Sequence, residues 1–280
     1  MNIYTSVDAM RTASRAAHPN GQRLGFVPTM GALHQGHLAL VRAAKAQSDV
    51  VAASIFVNPL QFGPKEDLNK YPRNFERDRK LLETEGVAIL FAPSVDEMYP
   101  EKAIAYVNVE GLSDRLDSKS RPGHFRGVTT VVSKLFHIVE PDLAFFGQKD
   151  AAQVAIIRRM VRDLNVPVEI VVCPIVREPD GLAMSSRNAY LDVQQRKSAR
   201  VLHRSLLYVQ KLFQQGERDA GRLLAAGKEV FSQEPSVRAD YFEIVNPETL
   251  EPVAEITQRT LVAAAGFVGN TRLIDNILLG

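Results

Sequence analysis

The chain has 280 residues, 45% of them apolar, enough for one large domain or two modest ones with real cores. Lys and Arg number 34 against 32 Asp and Glu, a net charge of +2, so no basic footprint for nucleic acid stands out. One cysteine, Cys173, excludes an internal disulfide framework, and neither a secretory signal nor an apolar run near the roughly 20 residues of a membrane helix is visible, so a soluble cytoplasmic protein is expected.

In chain order, residues 24–27 read as a strand, 38–47 as an amphipathic helix and 50–57 as a second apolar run. A helix over 75–85, strands over 87–91 and 105–109, and a helix over 128–139 follow. A strand over 143–146, a helix over 152–164 and a strand over 169–172 complete this part. Short, nearly all-apolar strands alternating with helices predict a Rossmann-like open parallel sheet with helices on both faces, an α/β fold. After Val176 the rhythm changes. The turn Glu178-Pro179-Asp180-Gly181 leads to helices over 194–214 and 219–232, then strands over 241–245, 260–265 and 272–277. That order predicts a smaller C-terminal α+β domain, with a first domain over 1–176 and a second over 177–280.

Four clusters carry chemistry. Between the strand at 24–27 and the helix near Leu38 lies Pro28-Thr29-Met30-Gly31-Ala32-Leu33-His34-Gln35-Gly36-His37. A strand feeding a helix through such a turn leaves the first helical N–H groups open to an anion, and His34 and His37 add imidazole donors at the same mouth. A helix N-terminus disfavours imidazolium, so both are read as neutral donors. Phe146-Gly147-Gln148-Lys149-Asp150 repeats the strand, turn and helix design: Gly147 permits backbone approach to a base or phosphate, Lys149 supplies charge, and Asp150 caps the helix or holds a ribose hydroxyl. Read alone, it is equally a capped helix with a solvated lysine.

Gly181-Leu182-Ala183-Met184-Ser185-Ser186-Arg187-Asn188 places two hydroxyls and an arginine in a polar connection, a composition suited to polyphosphate but also to an ordinary turn and N-cap. Asn58-Pro59-Leu60-Gln61-Phe62 follows an apolar run, where Gln61 would sit beyond the carboxyl end of a strand, and Gln153 lies one turn into a later helix. Paired amides suit a small polar acid. The basic, glycine-containing stretch Ser120-Arg121-Pro122-Gly123-His124-Phe125-Arg126-Gly127 fits either anion contact or a structural loop.

These segments carry Pro-Thr-Met-Gly-x-Leu-His-x-Gly-His at 28–37, Phe-Val-Asn-Pro-x-Gln-Phe at 56–62 and Tyr-Pro-Arg at 71–73. Ser-Arg-Pro-Gly-His-Phe-Arg-Gly-Val at 120–128, Phe-Gly-x-Lys-Asp at 146–150 and Met-Ser-Ser-Arg-Asn at 184–188 follow in order. Together they resemble the pantothenate synthetase (pantoate–beta-alanine ligase) family of the H-x-G-H nucleotidylyltransferase superfamily. The resemblance implies that ATP activates pantoate as an adenylate, with loss of pyrophosphate, and that β-alanine then displaces AMP. It implies Mg²⁺ with the ATP, a homodimer, and no nucleic-acid or membrane partner.

Carried over, the resemblance makes His37, His34, Lys149 and Arg187 catalytic. ATP would be held by those four with Met30, Gly31, Gly36, Gly147, Gln148, Asp150, Val176, Met184, Ser185 and Ser186. Gln61 and Gln153 would hold pantoate, with Met30 and Phe146 against its methyls, and Asp78 would contact Mg²⁺. Ala151 and Ala152 depart from the aromatic residue and glutamine usual in the family, which predicts looser packing at that helix start. The rival readings are a nucleotidylyltransferase acting on a phosphorylated acceptor and a catalytically inert nucleotide-binding protein.

Overall fold

The structure, a computed structural model, describes every residue of the chain except 18, 65 and 67. The elements run β1 (Asn2–Tyr4), α1 (Val7–Ala17), β2 (Leu24–Thr29), α2 (Gln35–Gln47), β3 (Val50–Ile55), α3 (Phe75–Thr84), β4 (Ile89–Phe91), α4 (Val95–Met98), α5 (His124–Val139) and β5 (Leu143–Gly147). They continue α6 (Ala151–Asp163), β6 (Glu169–Cys173), α7 (Val193–Ala199), α8 (Val201–Gln214), α9 (Ala220–Ser232), β7 (Val237–Val245), β8 (Thr260–Val268) and β9 (Thr271–Leu279).

The first six strands form one parallel sheet in the order β1-β4-β3-β2-β5-β6. Its inner strands carry almost no polar side chains because both faces are covered. On one face Met10 of α1 packs with Val128, Val132 and Phe136 of α5 and Val154 and Ile157 of α6, over Phe26 and Phe146. On the other, Leu40, Val41 and Ala44 of α2 and Leu82 of α3 cover Val27, Val51 and Phe145. The strand order reverses at β2, with β3 on one side and β5 on the other, so the carboxyl ends of β2 and β5 open the crevice where open α/β sheets bind ligands.

The last three strands form an antiparallel sheet, β7-β8-β9, packed under α8 and α9 around Leu202, Leu206, Leu223, Phe242 and Val262. A further apolar cluster joins Phe125, Ala151, Ala152 and Ile156 to Tyr241, Val245, Leu261 and Ala263 of this sheet. Ala151 and Ala152 are 9% and 3% exposed there, so the helix start expected to be loosely packed is filled from the C-terminal side.

Several expectations need correction. Residues 105–109 form no strand. Val107 gives its N–H to Thr130 and its carbonyl accepts from Thr129, so side chains of α5 replace a ladder partner. The helix expected over 194–214 is two helices, α7 and α8, divided at Arg200. The opening elements β1 and α1 went unread, being short and amphipathic rather than apolar.

Candidate active site

β2 ends at Thr29, and the chain turns through Gly31 (φ +79°) and Ala32 (φ 51°) before α2 begins. The carboxylate of Asp78, 1% exposed on α3, holds this turn: its oxygens accept the N–H groups of Ala32 at 2.7 Å and Leu33 at 2.9 Å. Asp78 therefore braces the backbone. Among the described residues no group of three or more His, Cys, Asp or Glu side chains is arranged to hold a metal.

His34 is the N-cap of α2, and His37 stands at its third position. The His34 Nδ1 accepts the Gly36 N–H at 3.1 Å, and the His37 Nδ1 accepts the His34 N–H at 3.3 Å, forming a capping box made of two imidazoles. A ring that accepts through Nδ1 while neutral must carry its proton on Nε2, so both present an Nε2–H donor. Burial, then the charge of Lys149, lowers the His34 pKa to about 4, and burial, then His34, lowers that of His37 to about 3. Gly36 is required beside them: a Cβ there would meet the His34 ring at 2.8 Å.

The turn after β5 carries the second cluster. Gly147 has open space where a Cβ would stand, and the Lys149 Nζ lies 3.3 Å from the Asp150 carboxylate. Burial pushes the Asp150 carboxyl up, but the charge and hydrogen bond of Lys149, with smaller contributions from His37 and His124, leave the group below its ordinary value. The Gln148 side chain turns away, donating to Asn276 of β9 at 3.0 Å.

The third cluster is pinned at both ends. Met184 donates its N–H to the Val176 carbonyl at 3.0 Å, and Asn188 is buried with its amide on Glu178 and Ala183. Ser185 caps the short turn Ser186–Tyr190 by accepting the Arg187 N–H, and the Ser186 hydroxyl lies 3.4 Å from that of Tyr71.

The fourth cluster owes its position to Gly127. A Cβ on Gly127 would collide with the Leu60 carbonyl, so only glycine lets the turn Pro59–Gln61 lie against α5. There the Asn58 amide bridges the Gln61 side chain and the Gly127 carbonyl, and the Gln61 Nε2 reaches the Met30 sulfur at 2.9 Å. His124 donates from Nδ1 to the Gln61 carbonyl at 2.8 Å while Arg121 donates to its Nε2 at 2.9 Å; burial, then Arg121, holds its pKa to about 4.

A cleft of about 790 Å³ is lined by Lys149, Asp150, Gln153, Ser185 and Arg187 together with Glu66, Arg121 and His124. Met30, Gly31 and Asp78 line a neighbouring pocket of about 390 Å³, and Gln148 faces a groove on the far side of α6. Phe146, 4% exposed, belongs mainly to the core, edge-on to Phe136. Asp78 as a brace, the Arg121–His124 pair and Asn276 are roles that motif reading missed. The only signal for the last is a polar pair, Asp275-Asn276, interrupting an apolar strand.

These features define an α/β protein with donors suited to an anion at a strand-to-helix turn, beside a cleft of mixed charge bordered by a second small sheet. The pantoate-beta-alanine ligase family model matches residues 2–278. The chain is 58% identical over its full length to the pantothenate synthetase of Koribacter versatilis, covering 96% of it, and 56% identical to that of Thermotoga neapolitana, covering all of it. The pantothenate synthetase structure from Thermus thermophilus superimposes with a TM-score of 0.94 at 50% identity, covering 99% of both chains. The Francisella tularensis pantoate-beta-alanine ligase, complexed with beta-gamma ATP and beta-alanine, gives 0.79 at 33% identity over 99% of this chain and 97% of its own. The chain belongs to the pantoate-beta-alanine ligase family.

Proposed function

We propose that this chain condenses pantoate with β-alanine in two steps. A pantoate carboxylate oxygen attacks the α-phosphorus of ATP, forming the acyl–phosphate bond as the bond to pyrophosphate breaks. The β-alanine amine then attacks the acyl carbon, loses a proton, and displaces AMP to leave pantothenate. The observation carrying this reading is the pair of neutral imidazoles, each with an Nε2–H, at the mouth that also feels the charge of Lys149. Such a site lowers a barrier by placing donors where phosphate charge develops.

In this reading the His34 and His37 Nε2–H groups donate to ATP phosphate oxygens. A pKa of about 3 keeps His37 neutral at physiological pH, which supports orientation of phosphate over delivery of a proton from an imidazolium. Lys149 and Arg187, with Ser185 and Ser186, hold the β- and γ-phosphates. Gly36, Gly147, Asp150, Val176 and Met184 line the adenosine subsite, Gly147 by the open space above it. Gln61 and Gln153 hold pantoate, with Met30 supplying apolar surface and Phe146 at most an edge.

The resemblance implies Mg²⁺ with the ATP; among the described residues no group of three or more acidic, His or Cys side chains is arranged to hold it, and both Asp78 oxygens hold the turn at 32–33. Residues 1–176 form the nucleotide and pantoate unit in this reading, and 177–280 the unit that closes the cleft. Among the described residues no helix is long and apolar enough to cross a membrane, and a biosynthetic role fits the cytoplasm. A homodimer is what the family resemblance implies, and Ile104, 91% exposed before α5, is the candidate contact.

The test is substrate dependence. Pyrophosphate release from ATP is expected to require pantoate, and AMP release to require β-alanine as well. Equal turnover without pantoate overturns the ligase reading in favour of transfer to another acceptor.

A further inference from the structure

Asp275 and Asn276 stand in the middle of β9, each 3% exposed, where strand neighbours are apolar. A buried Asp-Asn pair is costly unless its polar atoms are satisfied, and here the side-chain partners outside β9 are Gln148 and Lys149 in one segment and Arg177 in the other. The Asn276 Nδ2 donates to the carbonyls of Gln148 at 3.0 Å and Lys149 at 2.9 Å, and its Oδ1 accepts the Gln148 side-chain amide at 3.0 Å. Its own N–H goes to the Asp275 Oδ1 at 2.8 Å. The Asp275 carboxylate takes both Nη atoms of Arg177, at 2.7 and 2.9 Å. Arg177 in turn donates to the Gly181 carbonyl at 3.1 Å, and its backbone pairs with Ala183, one residue before Met184.

We propose that Asp275 and Asn276 are positioning residues that set the spacing between the Lys149 turn and the 184–187 loop. The chain of contacts runs from Lys149 through Asn276, Asp275 and Arg177 by amide and charge-assisted hydrogen bonds, and ends in the backbone pairing of Arg177 with Ala183. Asn276 lies in the groove it shares with Gln148, and Asp275, which borders the cleft, is occupied by Arg177. Each fixes where a phosphate-directed group begins, and a site of this kind loses rate when such groups shift by an ångström. The inference rests on Lys149 and Arg187 holding the β- and γ-phosphates.

The experiment compares the affinities for ATP and AMP, by calorimetry, in the unaltered chain and in Asn276→Ala and Asn276→Asp. The second variant keeps the volume and the acceptor for Gln148 but loses the donors to both carbonyls. The ATP-to-AMP affinity ratio is expected to fall about tenfold in each, with AMP affinity unchanged. Single-turnover formation of pantoyl adenylate falls in parallel, while the reaction of supplied pantoyl adenylate with β-alanine keeps its rate, because that step does not use the polyphosphate contacts. An unchanged ratio in a folded variant overturns the proposal, as does an equal loss in both chemical steps. An unaltered chain that forms no adenylate overturns the functional reading instead, and the positioning role is then decided by the affinity ratio alone.

Discussion

The rings of His34 and His37 lie 4.1 Å apart, centroid to centroid, and each takes a backbone N–H of the α2 terminus on its Nδ1. Burial, then the neighbouring charge of Lys149 for His34 and His34 itself for His37, keeps the pair neutral, and a proton on Nδ1 would also displace the backbone N–H each ring accepts. In the unfolded chain both imidazoles titrate near 6.5. As the pH falls below that value, the unfolded state binds protons the folded state refuses, so stability declines from about pH 6.5 down towards pH 3 to 4. His37→Gln is expected to shrink the stability difference between pH 7 and pH 5 by about 2 kcal/mol. Urea unfolding at the two pH values checks this, and an unchanged difference contradicts a neutral His37.

Asp78→Ala strands the amides of Ala32 and Leu33 inside the protein. The expected cost is about 3 kcal/mol of stability. The milder Asp78→Asn should leave the Mg²⁺ concentration for half-maximal activity unchanged. A large rise in that concentration would make Asp78 a metal ligand rather than a brace.

Gly127→Ala forces the Leu60 carbonyl, and with it the turn bearing Gln61, away from α5. Overpacking of this kind costs about 1–3 kcal/mol. If Gln61 holds pantoate, KM for pantoate rises more than KM for ATP. A uniform change in both would detach Gln61 from pantoate.

Lys149→Ala removes a cation from where pyrophosphate would depart. Adenylate formation should slow by about 3 kcal/mol of barrier, roughly a hundredfold. Rapid-quench measurement of the pyrophosphate burst decides it, and an unaltered burst takes Lys149 out of the chemistry.

Ile104→Glu places a charge on the exposed segment before α5. If the chain pairs through this segment, sedimentation shows a dimer for the unaltered protein and a single chain for the variant. A dimer that survives the change puts the contact elsewhere.

Much of this architecture was legible because it rests on local pattern. The apolar runs at β2, β3 and β5, each followed by a turn and a helix, announce a buried parallel sheet, and the H-x-G-H turn announces its ligand end. Residues 105–109 misled because alternating apolar residues look alike whether a strand or the threonines of α5 satisfy the backbone. Asp78, Gly127 and Asn276 were illegible for a different reason. Each acts on a backbone segment more than 40 residues away in sequence, and nothing in the local pattern of an acidic helix residue or a strand asparagine names its distant partner.

The two imidazoles at the start of α2 finish the helix with one nitrogen each and leave the other, Nε2, free of that duty. A helix end is ordinarily a place where sequence can drift, since serine, threonine and aspartate serve nearly alike. Here that freedom is gone: a better cap would discard the Nε2–H donors, and a better donor would leave the helix frayed. If these donors meet phosphate as proposed, robustness and turnover are bound to one pair of side chains, and a more heat-resistant variant has to be sought anywhere but at this turn.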